Sequence, residues 1–149
     1  MSQSSFVVMN SLPLLGPALT LMGLTFIAQI LLYLRRIPAM RAARMHPEKA
    51  KDMRILAELP NPARWAQGAY NHLFEQPVLF YGLIVFSVMV PIQDQTQIAL
   101  AWTYVGLRVL HFLVYVSINR ILVRFSIFTL SSLMLLALWV RLIMTWWGV

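Results

Sequence analysis

Glu75, Arg108, His111 and Arg141 stand inside long apolar stretches of the sequence. An ionisable side chain in hydrocarbon is costly, so it needs a partner and marks a default candidate for function. On a helix turning about 100° per residue, Tyr104, Arg108, His111 and Tyr115 fall within an arc of about 60°. Gly68, Asn71, Glu75 and Gly82 form a matching stripe on the preceding apolar stretch. If the two stretches run antiparallel about a turn near Asp94, Glu75 lies close in depth to His111 and Tyr115, with Arg108 one to two turns deeper. A long arginine bridges that gap, and the expectation is an intramembrane Glu75–Arg108 ion pair. Pro77 has no amide proton to give the carbonyl of Leu73, so the helix is expected to bend beside Glu75.

The surrounding residues extend the cluster. Asn71 and His72 lie on one side, and Arg120 and Arg124, one turn apart, are placed to hold a carboxylate at the membrane surface. Arg141, near the end of the last apolar stretch, can snorkel to the interface and reads as structural. Buried polar residues can also serve only to lock helices together, and a single Glu–Arg pair would suffice for that. There is no cysteine, which excludes disulfides, thiolate metal sites and a thiol nucleophile of the protein's own. His46, His72 and His111 match no zinc motif spacing.

The elements that must position these groups follow from composition. Of 149 residues 60% are hydrophobic and only 11% charged, whereas soluble domains carry roughly a quarter charged residues. The apolar residues gather into four runs, about 12–34, 65–90, 98–118 and 123–147. Each is long enough at about 1.5 Å per residue to cross a hydrocarbon core about 30 Å thick. The fold class is therefore all-α, a four-transmembrane-helix bundle in a single membrane domain spanning residues 1–149. The second and third runs read as a hairpin around Pro91-Ile92-Gln93-Asp94-Gln95. The first run lacks a basic lead-in and ends in Arg35-Arg36, unlike a cleavable signal.

Charge sets the orientation. Residues 35–64 hold eight of the twelve basic residues, and Arg120 and Arg124 flank the connection between the third and fourth spans. By the positive-inside rule both basic loops are cytoplasmic and both termini lie on the opposite side. Trp102, Trp139, Trp146 and Trp147 stand near span ends, where interfacial aromatics belong. The net charge of +7 thus reflects topology and does not point to nucleic acid. The long loop is expected to contain a short amphipathic helix around Pro47–Leu59, broken from the second span by Asn61-Pro62. Beside a bilayer such a loop is a topology signal or a site for anionic lipid.

Two segments carry a resemblance: Asn71-His72-Leu73-Phe74-Glu75-Gln76-Pro77-Val78-Leu79-Phe80-Tyr81, and Arg108-Val109-Leu110-His111-Phe112-Leu113-Val114-Tyr115 continuing into Asn119-Arg120 and Arg124. In these, and in four spans with a long basic first loop, the chain resembles the MAPEG family, the membrane-associated proteins in eicosanoid and glutathione metabolism. The resemblance implies a homotrimer in which glutathione lies between neighbouring subunits toward the cytoplasmic face. It implies glutathione contacts at Glu75, His111, Tyr115 and Arg124, with Arg108 pairing with the glutamate. It also implies a role for Arg35 or Arg36 at the end of the first helix. Asn71, His72, Arg120 and Arg36 complete the candidate binding set, and Arg124 is the candidate for stabilising a thiolate.

The chain departs from the family pattern at several positions. His72 stands where asparagine is usual, Asn71 and Gly68 where arginines are common, and Phe125 and Phe128 where catalytic members often carry a hydroxyl. Two functions follow. One is a glutathione-dependent transferase or peroxidase acting on lipophilic substrates, with glutathione as cofactor. The other is a non-catalytic membrane scaffold, lipid-binding module or accessory subunit of a larger membrane complex. A four-helix chain without inverted repeats makes a poor transporter. A short, cysteine-free chain suits a bacterial inner membrane.

Overall fold

The computed structural model describes residues 3–46, 48, 51–90 and 94–148. Its elements are α1 (Gln3–Ala42), α2 (Met53–Leu56), α3 (Asn61–His72), α4 (Gln76–Met89), α5 (Gln95–Ser117) and α6 (Ile121–Trp147). Four stretches are long and apolar enough to cross a membrane: Pro13–Ala42, Asn61–Met89, Gln95–Ser117 and Ile121–Trp147. α1 packs on α3, α4 and α5, while α6 packs on α5 and α4.

α1 is apolar on all sides, so its inward face is not obvious from hydropathy. The structure selects Leu14, Ala18, Leu21, Leu24, Ala28 and Leu32, a stripe at three- and four-residue spacing. Leu19, Phe26, Ile30 and Leu34 face outward. α3 buries Ala63, Ala66 and Ala69, small side chains that let two helix backbones approach closely. Trp102 of α5 lies across α1 at Gly16, where even a β-carbon would crowd the indole. α5 contributes the polar interior, burying Gln97, Tyr104, Arg108 and His111. α6 buries only Ser131, Leu135 and Leu138, and most of its apolar surface is open.

Several boundaries differ from expectation, each for a local reason. α1 continues past Arg35-Arg36 to Ala42 with Pro38 inside it; the arginines and alanines are good helix formers, and Pro38 forgoes only the one bond to the carbonyl of Leu34 without ending the helix. The connection is correspondingly shorter than residues 35–64. Asn61-Pro62 opens α3 rather than breaking the chain ahead of it, as proline tolerates the first helical turn, where its missing N–H has no helical partner. α2 is a single turn inside the expected 47–59 helix; Pro47, Lys49 and Ala50 lie outside the described residues, as do residues 91–93 of the expected turn. The third and fourth helices begin two to three residues earlier than the apolar runs.

Candidate functional site

The second span is broken. α3 ends at His72, and Leu73 and Phe74 close back on Tyr70 and Asn71 through bonds of 3.0 and 2.9 Å. α4 restarts at Gln76 with Pro77 in its first turn. The break frees the last carbonyls of α3 inside the protein, where each needs a donor. Arg108 supplies one: its Nη2 donates to the carbonyl oxygen of His72 at 2.6 Å. Arg108 is 1% exposed, and a buried cation at the C-terminal end of a helix also complements the helix dipole. Its guanidinium lies over the rings of Tyr104 and Phe128, 5.9 and 5.5 Å from their centres.

This corrects the expected Glu75–Arg108 pair. Glu75 accepts instead from His72 Nδ1 at 2.7 Å, and its side chain is 55% exposed. The expected pairing assumed a helix that merely bent at Pro77. With helical geometry lost over residues 73–75, the carboxylate turns away from the interior and the arginine binds backbone instead.

Around His72 the structure assembles most of the expected cluster. The rings of His72 and His111 are 5.6 Å apart between centres, those of His72 and Tyr115 5.4 Å, and those of His111 and Tyr115 5.8 Å. The Arg124 guanidinium sits 4.1 Å from the centre of the Tyr115 ring, a cation–π distance. Arg124 is held by the helix connection itself. Asn119 follows α5 in the left-handed conformation, with φ 48°, which asparagine tolerates better than most residues. Its backbone N–H closes on the carbonyl of Val114, and its side-chain oxygen accepts from Arg124 Nη1 at 2.7 Å. A cavity of about 250 Å³ is lined by His72, His111, Ile121, Arg124, Phe125 and Phe128.

Tyr115 separates this cavity from a second. Its hydroxyl lies against Gly68, and a β-carbon there would overlap the phenol. An arginine at position 68 is therefore incompatible with this placement of Tyr115. Beyond Gly68 is a cavity of about 270 Å³ that includes Arg36, Arg64, Gln67 and Asn71. Arg36 Nη1 donates to Gln67 Oε1, and Gln67 Nε2 donates to Asn71 Oδ1 at 2.8 Å. Arg36 and Asn71 thus belong to this second cavity and not to the histidine cluster. Arg35 is engaged elsewhere, donating to the carbonyl of Val116 at 2.9 Å. Arg120 stands exposed ahead of α6, and it does not line the cavity with Arg124 as expected.

Three further residues shape the site. Asn119 positions Arg124, Gln67 joins Arg36 to Asn71, and Phe128 packs on both histidines at 6.0 and 5.8 Å. Asn119 has a sequence signal, an asparagine directly after an apolar run, and Phe128 stands out as a departure from the family pattern; Gln67 has none. Of the hydroxyls one to two turns along α6, Ser131 and Ser132 both donate to the carbonyl of Phe128 at 2.8 Å. The cavity thus offers one guanidinium and two imidazoles within aromatic walls. It can attract an anion and stack an apolar group, but any sulfur nucleophile must come with the ligand.

No curated protein and no solved structure matches the chain. The model of the MAPEG family matches residues 14–144, most of the chain and both halves of the cluster, so this four-span membrane protein belongs to the MAPEG family.

Proposed function

We propose that the protein binds glutathione in the His72–His111–Arg124 cavity and presents its thiolate to a lipophilic substrate arriving from the bilayer. The observation that carries this reading is the convergence of His72, His111 and Arg124 on one open cavity, with Arg124 stacked on Tyr115 and fixed in place by Asn119. A positive group beside a thiol favours the thiolate, the reactive form. The thiolate then adds to an electrophilic carbon. Alternatively, two glutathiones reduce a lipid hydroperoxide to the alcohol and water while forming their disulfide. Glu75, exposed and held by His72, is placed for the ligand's ammonium group. The cavity is open, which fits a homotrimer whose neighbouring subunit completes it. The basic end is cytoplasmic in this reading, and a bacterial inner membrane suits the chain.

Calorimetric titration of the detergent-purified protein with glutathione tests the proposal. Binding at millimolar ligand or below is expected, and it should be lost in Arg124→Ala and weakened in Glu75→Ala. Absence of heat at millimolar glutathione would overturn it. One observation favours the second reading, a non-catalytic scaffold or accessory subunit: the cavity lining contains no hydroxyl, and Phe125 and Phe128 fill that wall. That reading predicts no glutathione heat and co-purification with unrelated membrane subunits.

A further inference from the structure

The cavity beyond Gly68 is not used by the proposed function. Two arginines, Arg36 and Arg64, contribute to its wall together with the amides of Gln67 and Asn71, and no carboxylate lines it. Leu56 and Leu59 form its apolar side. Arg36 is oriented by the chain of hydrogen bonds through Gln67 to Asn71, while Arg64 forms no ion pair among the described residues. From Pro13, α1 rises about 35 Å to reach Arg36 at about 1.5 Å per residue, just more than a hydrocarbon core about 30 Å thick. The guanidinium groups therefore stand at headgroup depth. On the same helix, Ile30, Tyr33, Leu34, Ile37 and Pro38 line an apolar groove of about 300 Å³, beginning within one turn of Arg36.

We propose that this cavity binds the phosphate of an anionic phospholipid, with Arg36 and Arg64 as its donors and the outer face of α1 against an acyl chain. Guanidinium groups pair with phosphate through charge-assisted hydrogen bonds, and juxtamembrane basic clusters attract anionic headgroups. The apolar wall and the adjoining groove favour a lipid over a free anion. Tyr115, with its hydroxyl against Gly68, stands between this site and the histidine cavity, so Arg64→Ala and Arg124→Ala separate lipid retention from glutathione binding.

Native mass spectrometry of the full chain released from detergent tests it, with phosphatidylglycerol, phosphatidylcholine and soluble glycerol phosphate as probes. Phosphatidylglycerol should be retained in preference to phosphatidylcholine. Arg64→Ala should weaken retention about tenfold, the effect of losing one hydrogen bond to a charged group. Arg36→Ala should act similarly, while Arg120→Ala and Arg124→Ala should leave retention unchanged. Thermal melting of Arg64→Ala, an exposed position, checks that the fold is intact. Equal retention in wild type and Arg64→Ala would overturn the proposal. So would displacement by glycerol phosphate, which would mark a free-phosphate site, or by glutathione, which would make the cavity part of the tripeptide's site.

Discussion

At the end of the bundle where α4 leads toward α5, polar groups occupy each other. Asp94 caps α5 by accepting from the N–H of Gln97 at 2.8 Å, and its other oxygen pairs with Arg141 of α6. The Gln97 side chain donates to Ser87 at 3.1 Å, tying α5 to α4. At the opposite, basic end His72, Arg124, Arg36 and Asn71 also have hydrogen-bond partners, yet with His111 and Arg64 they line two open cavities: His72, His111 and Arg124 on one side of Tyr115, Arg36, Arg64 and Asn71 on the other. Both ends contain intramembrane charge, so charge in a span does not by itself distinguish a fastening from a site. What distinguishes them is whether the charge is neutralised, since the fastened end also leaves Gln97 Oε1 and Arg141 Nε without partners. Arg141 reaches a local carboxylate and closes a connection, whereas Arg124 is braced by a neutral asparagine and an aromatic ring and keeps its charge unneutralised. Arg108 is a third case, since it spends one N–H on a broken helix and leaves Nε and Nη1 without partners.

Substitutions at these places separate the roles. Arg108→Ala should have the largest effect, because it leaves the His72 carbonyl uncapped and opens a void beneath Phe128. A loss of about 3–5 kcal/mol is expected from the unsatisfied buried carbonyl together with the cavity that the long side chain leaves, measured by denaturant unfolding in detergent. Arg108→Met should lose less, since it fills the space and removes two unpartnered nitrogens. Gly68→Ala should cost about 1–3 kcal/mol, the usual penalty of overpacking. Tyr115→Phe in the same chain should recover part of it, and a double-mutant cycle would read the coupling. If the two substitutions are simply additive, the partition between the cavities is not as described.

Asp94→Ala tests the fastened end. Loss of the cap should cost about 1 kcal/mol, and Asp94→Asn, which keeps the cap but not the charge, should retain most of the stability. Smallest of all should be Glu75→Gln. The His72–Glu75 contact is exposed, and such pairs contribute about 0–1 kcal/mol, so melting should barely move. A large loss of stability in Glu75→Gln would mean that the carboxylate fastens the α3–α4 break, and would erase the contrast between the two ends.

Much of this protein is determined by its sequence. The apolar runs require four helices, because a chain in hydrocarbon must satisfy its backbone internally. The positions of Arg108, His111 and Tyr115 on one face of α5 follow from helical periodicity, and the structure keeps that face buried or half-buried. Pro77 announced a disturbance in the second span. Its extent was not readable: whether a proline bends a helix or ends it depends on whether a neighbouring group satisfies the freed carbonyls, and that group, Arg108, comes from another helix. The same holds for Glu75, whose partner is His72 because the break turns it outward, and for Gly68, which in the sequence is only a missing side chain but is the surface on which Tyr115 rests. The chain alone gives each helix its faces; only the packing of α5 against α3 decided which polar group meets which, because those contacts depend on distances between helices that no periodicity encodes.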